Sequence, residues 1–324
     1  MNRRDTVLAL FALGAAPLAA EAQQSKIPRV GVLTVGKTTE AIREGFRLGL
    51  RDHGYVEGKN IVVEWRAVED LAGQTERVKA LALELVQLKV DVIVATPTPA
   101  VQAAKSATST IPIVMAPAGD PVATGFVASL ARPGGNITGV TTLATELGGK
   151  LLELIRELRP ALSRIAVLVD TNPFARPFQE HIQSAAGSIG VRIQPVVIRG
   201  AEDIDGAFEA MVKERAGAVI VQPLYATKRA ADLAVKHRLI SITTGITAST
   251  FPELGGLMSY GSNPANTYRQ AAVYVHKILK GAKPADLPVE QPTRFELVIN
   301  RKTATALGIA IPRTMLLRAD RVIE

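Results

Sequence analysis

No cysteine occurs anywhere in the 324 residues. That excludes disulfides, thiolate metal sites and a cysteine-borne lipid anchor. The fold must be held by its apolar core, and 47% apolar content over this length is ample. Aromatic residues make up only 4%, so a ligand cleft has few rings to draw on. The four histidines, His53, His181, His237 and His276, are far apart and form no metal-binding spacing. There is no G-x-S-x-G elbow, and no cofactor is expected. After the first residues, no apolar run is long enough for a membrane helix.

What is present begins at the N-terminus. Arg3 and Arg4 precede an apolar run from Val7 to Ala16, Pro17 breaks it, and Ala20-Glu21-Ala22 offers small residues at the A-x-A positions. This order of charge, short apolar run and small residues predicts an export signal over 1–22, cleaved near Ala22. The arginine pair also fits a twin-arginine signal loosely, so the export route stays open. The expected address is the periplasm.

The net charge is +8, and removing two basic and two acidic residues with the signal leaves it unchanged. Lys and Arg are spread along the chain without a dense run. That reads as a solvated basic surface and not as a nucleic-acid interface.

Short runs rich in Val and Ile recur at 29–35, 61–65, 90–95, 111–116 and 137–142, and again at 165–169, 192–198, 218–221, 240–243 and 256–259. None alternates, which suits parallel strands buried on both faces. Helical patterns lie between them, at 40–53, 75–88, 98–107, 121–131, 175–189, 201–215 and 226–237. A long helix over 146–159 joins the two series and stops before Pro160. A further helix at 266–280, a proline-bearing stretch to Pro292 and a strand at 295–299 follow. The fold class is α/β, with two doubly wound parallel-sheet lobes.

Gly31-Val-Leu-Thr-Val-Gly36-Lys37-Thr38 matches the phosphate-binding pattern G-x-x-x-x-G-K-[ST] letter for letter. Its first glycine sits inside an apolar run, however, and Val32, Leu33 and Val35 fill what should be loop. A strand followed by a helix start is the better reading.

In open α/β sheets, ligands sit beyond the carboxyl ends of the strands. Thr34, Thr96, Thr98, Asp120, Asn172, Gln222, Thr244 and Tyr260 lie at those ends and are the candidate ligand contacts. Thr98, Asp120 and Asn172 are equally suited to cap helices. Asp120 is the candidate partner for an ammonium group, with hydroxyls and helix-start amides for a carboxylate.

Several longer blocks carry a family likeness. Thr110-Ile-Pro-Ile-Val-Met115, Gly119-Asp-Pro-Val122 and Ala128-Ser-Leu-Ala-Arg-Pro-Gly-Gly-Asn-Ile-Thr-Gly139 resemble ABC transporter substrate-binding proteins of the tryptophan-binding-protein-like group. So do Gly255-Gly-Leu-Met-Ser-Tyr-Gly261, Lys277 to Pro288, Phe295-Glu-Leu-Val-Ile-Asn300 and Leu316 to Asp320. The resemblance implies a type I periplasmic binding protein, not an enzyme. Two lobes joined by three crossover segments would close by a hinge on a small molecule, then dock on an ABC permease in the inner membrane. The implied lobes are 23–143 plus 263–284 and 144–262 plus 285–324. A sensor presenting solute to a membrane receptor is the alternative role. Thr96-Pro97-Thr98-Pro99 and Thr243-Thr244-Gly245-Ile246-Thr247 depart from the family pattern at cleft positions. The ligand is an amino acid or another small carboxylate, with Tyr225, Tyr260, Phe174 and Phe251 as candidate stacking partners.

Overall fold

The computed structural model describes residues 26–69, 73–142, 144–171, 175–187, 189–245 and 250–324. The export segment, Asn172 and Phe174 lie outside the described residues.

Five strands build the first lobe: β1 (Arg29–Val35), β2 (Val62–Val68), β3 (Val92–Thr96), β4 (Ile113–Ala118) and β5 (Ile137–Thr141). They form one parallel sheet in the order β2-β1-β3-β4-β5. Between them run α1 (Glu40–Asp52), α2 (Gln74–Gln87) and α3 (Thr98–Ala107). Each central strand is apolar on both faces. Val30, Val32, Val92, Val94 and Val114 face one core, and Leu33, Ile93, Ala95, Ile113 and Met115 face the other. That two-sided burial is why the strand runs do not alternate in polarity.

The second lobe begins with α4 (Ala144–Leu158) and continues through β6 (Arg164–Asp170), α5 (Ala175–Gly187), β7 (Arg192–Ile198), α6 (Ile204–Lys213), β8 (Ala218–Val221), α7 (Lys228–Lys236), β9 (Ile240–Thr243) and β10 (Met258–Gly261). The chain then returns to the first lobe as α8 (Pro264–Leu279). Gly45 and Gly49 of α1 let α8 approach closely. A Cβ on Gly45 would lie 2.4 Å from the Ala265 carbonyl oxygen, and one on Gly49 would lie 2.5 Å from that of Arg269. Phe46, between them, is fully buried in the same interface.

After α8 the chain crosses once more to β11 (Glu296–Asn300), α9 (Arg301–Leu307), α10 (Arg313–Arg318) and β12 (Arg321–Ile323). The second sheet has seven strands in the order β12-β11-β10-β9-β8-β6-β7. Strands β6 to β10 are parallel, and β11 runs antiparallel to β10. The two doubly wound lobes expected from the sequence are present, with that one antiparallel pairing added.

Three expectations need correction. Residues 121–131 are not a helix. Gly125 takes φ +68°, and the Ala128 N–H bonds to the Pro133 carbonyl, so the segment turns back on itself. The third crossing falls within the Pro284–Pro292 stretch that the resemblance implies, but past the lobe boundary expected at residue 284. The Val289 N–H bonds to the Leu130 carbonyl at 2.7 Å, and the Glu290 N–H to that of Gly139 at 2.9 Å. The chain therefore stays on the first lobe through Glu290. The tail also carries two short helices and β12, beyond the single strand anticipated.

The phosphate-loop pattern is dismissed by its own geometry. Gly31 to Leu33 lie inside β1, and Leu33 is fully buried.

Candidate functional site

Parallel strands align their carboxyl ends, so β3 and β4 in one lobe and β6, β8 and β9 in the other bring their trailing loops to one cleft. A cavity of about 100 Å³ lies there, a volume suited to a small solute. Pro97, Thr98, Pro117, Gly119 and Thr142 line it from the first lobe. Asp170, Phe178, Gln222, Pro223 and Thr244 face them from the second. Leu224 packs against the cores of both lobes, so the lobes touch beside the cavity.

The polar groups are few and placed by local bonds. Thr98 begins α3, and its Oγ1 accepts the Gly119 N–H at 2.9 Å. Its own hydroxyl hydrogen is left to donate. The Asp170 N–H donates to Gln222 Oε1 at 2.9 Å. An N–H can only donate, so the amide oxygen of Gln222 is committed and its Nε2 remains as a donor. The Thr244 hydroxyl is buried beside the cavity without a hydrogen-bond partner.

Asp170 ends β6 and is 8% exposed. It supplies the one carboxylate among the described lining residues, which include no Lys, Arg or His. The cleft is therefore locally acidic in a protein of net charge +8. Tyr225 lies 3.5 Å from Asp170 through its hydroxyl. Burial first, then the Asp170 charge, pushes the Tyr225 phenol well above its ordinary range, so it stays protonated and able to donate.

Of the candidates read from sequence, Thr98, Gln222 and Thr244 come together at this cavity. Thr34 and Thr96 do not line it. Thr34 Oγ1 bonds Thr38 Oγ1 at 2.9 Å, and Thr96 Oγ1 donates to the Pro117 carbonyl at 2.8 Å. Asp120 does not line it either. Its Oδ1 accepts the N–H groups of Val122 and Ala123, each at 3.0 Å, which shapes the turn after β4. Tyr260 stacks on Phe295 with ring centroids 5.7 Å apart. Tyr225 and Phe251 are core residues. Two lining residues stand outside the candidate set, though the sequence carries a signal for each. Asp170 follows an apolar strand run, and Phe178 lies in the helix start that comes next.

A family model described as ABC transporter substrate binding protein matches residues 29–323. The chain belongs to that family. Its resemblance to the tryptophan-binding-protein-like group is thereby upheld. A protein named tyrosine-binding protein from Clostridioides difficile is 26% identical over 296 residues, 89% of this chain and 83% of the relative. A conserved domain protein from Vibrio cholerae superposes with a TM-score of 0.84 at 29% identity, covering 92% of this chain and 100% of that one. An ABC domain from Streptococcus pneumonia, solved in complex with L-Trp, gives a TM-score of 0.80 at 26% identity, covering 91% and 99%. The family and the tyrosine-binding relative are solute-binding proteins and not enzymes, and this substrate-binding protein shares the fold of the two solved structures. No helix among its described residues is long and apolar enough to cross a membrane.

Proposed function

We propose that this protein is the periplasmic receptor of an ABC importer, and that it takes up an L-α-amino acid with an uncharged, largely apolar side chain. The observation that carries the ligand class is Asp170, the single carboxylate among the described lining residues, which include no basic group. An anionic ligand would meet repulsion there, whereas an ammonium group finds a partner. The remaining donors, Thr98 Oγ1, Gln222 Nε2 and Thr244 Oγ1, together with the N-terminus of α3, suit a carboxylate. A buried hydroxyl without a partner calls for an occupant that supplies one, and Thr244 has such a hydroxyl. Phe178, Leu147, Leu224 and the cleft prolines suit an apolar side chain. The complex of a relative with L-Trp supports the same class.

Delivery to a permease, with a separate ATPase driving uptake, rests on the family. Residence in the periplasm rests on the family and on the export signal at 1–22. The ligand stabilises the closed state because it touches both lobes at once.

The test is a thermal-shift panel on the mature chain with L-tyrosine, L-tryptophan, L-phenylalanine, L-leucine, L-glutamate and the deaminated acids. At 100 times its dissociation constant, a ligand adds about 2.7 kcal/mol to stability. A neutral L-amino acid should give the largest rise. Preference for L-glutamate or for a deaminated acid would overturn the ligand class.

A further inference from the structure

We propose that the cavity between the second and third crossings is a second binding site, for a small linear diamine. It is separate from the cleft and does not depend on the amino-acid reading above.

Ser262 and Asn263 wall it where β10 passes into α8, and Glu290 to Arg294 wall it where the chain leaves for β11. Glu296 of β11 and one face of α8 complete it. The cavity holds about 300 Å³, against about 100 Å³ for the cleft cavity, and no described residue lines both.

The sequence of α8 is unusual on the face that meets this space. Asn263, Asn266, Thr267 and Gln270 follow at i, i+3, i+4 and i+7, one stripe of the helix, and all four line the cavity. Tyr268, Ala271, Ala272 and Val275 pack into the first lobe's core instead. A stripe at that spacing facing another segment is ordinarily apolar, and this one is polar throughout.

Each end of the stripe holds a carboxylate. Asn263 Nδ2 donates to Glu296 Oε1 and Oε2 at 3.1 and 3.2 Å, and Gln270 Nε2 donates to Glu290 Oε2 at 2.5 Å. Neutral amides donate without cancelling charge, so both negative charges remain. Arg294 does not cancel them: its side chain is 77% exposed, and its guanidinium lies 3.8 Å from Asp320. An independent observation points to an occupant. Ser262 is 5% exposed, and its hydroxyl is buried with no hydrogen-bond partner.

Asn263 and Gln270 are seven residues apart, about 10 Å along the helix axis. The carboxylates they hold stand apart by a distance of that order. One metal ion draws its oxygen ligands to within about 2.6 Å and could not join them. Two ammonium groups on a short alkyl chain can meet one carboxylate each. The partial positive charge at the N-terminus of α8 offsets some of the charge on Glu296, which makes Glu290 the stronger end. The walls belong to both lobes, so occupancy and lobe arrangement are linked.

The test is calorimetry of 1,4-diaminobutane, butylamine and calcium chloride against the mature chain without amino acid. The diamine should bind about tenfold more tightly than butylamine, the effect of one hydrogen bond to a charged group. Glu290→Gln should weaken it about tenfold and Glu296→Gln about threefold. Should either fail to fold, Asn266→Lys at an exposed position puts the protein's own ammonium into the cavity and should abolish diamine binding. Diamine binding unchanged by Asn266→Lys, or none at millimolar concentration, would overturn the site. Calcium bound more tightly than the diamine, or butylamine bound equally well, would overturn the ligand class.

Discussion

The imidazoles of His53 and His276 lie face to face, with ring centroids 4.3 Å apart and planes inclined by only 8°. His53 caps the end of α1 and His276 sits on α8, so the pair joins the two helices that Gly45 and Gly49 bring together. Tyr55 adds an edge contact to His276. Desolvation first, then His53 and Lys280, lowers the His276 pKa below its ordinary 6.5.

The folded protein thus disfavours protonation at His276, while the unfolded chain accepts a proton near pH 6.5. Stability is fully present above that value and falls as pH drops from 6.5 through the lowered one. Melting temperatures at pH 7.5 and 5.5 should show this loss, and it should be smaller in His276→Gln. An equal pH response in both proteins would remove His276 from the account.

The α1–α8 contact leaves no room for a methyl group. Gly49→Ala should destabilise the protein by about 1–3 kcal/mol, the usual cost of overpacking. Urea unfolding measures it. An unchanged midpoint would mean that the two helices separate more easily than their packing implies.

Leu224 should matter more to binding than to folding. It is only partly buried, yet it contacts the cores of both lobes. Leu224→Ala removes apolar area that is covered only when the cleft is shut. Affinity for the amino acid that binds in the thermal-shift panel should fall about fivefold, equivalent to roughly 1 kcal/mol. Small-angle scattering of the unliganded variant should report a larger radius of gyration than wild type.

Asp120→Ala should produce the opposite pattern. The carboxylate holds the turn after β4 through two backbone N–H groups. Its loss should cost about 1–2 kcal/mol of stability and leave ligand affinity unchanged. A tenfold loss of affinity with an intact melting temperature would return Asp120 to the site.

Strand positions in the second lobe were legible almost residue for residue. The run 218–221 follows Gly217 and is buried throughout, and the run 192–198, which ends before Arg199, forms the edge strand with Val197 exposed. The helix misread over 121–131 shows the limit of such patterns. Pro121 is compatible with a helix start, and the turn shows in the positive φ at Gly125 and in the Ala128 N–H bond to the Pro133 carbonyl. The site was harder to read for a spatial reason. Asp120 and Asp170 both follow apolar strands at their carboxyl ends. Which of them meets the other lobe depends on how the two sheets face across the cleft, and nothing local encodes that. Asp170 also gains meaning from Gln222 and Tyr225, more than fifty residues away.

The late departure of the chain from the first lobe bears on behaviour in a crowd. Leu287 to Glu290 run along β5: the Leu287 carbonyl accepts the Thr138 hydroxyl at 2.6 Å, and Glu290 forms a bridge with Val140. An uncovered strand edge is a template on which another chain can add. Here the segment that leads into the third crossing seals that edge, so the first sheet offers only β2 to a stranger, and β2 carries the paired charges of Glu64 and Arg66. A protein without a single disulfide is thereby guarded against edge-to-edge self-association by the stretch of chain that leads into its third crossing.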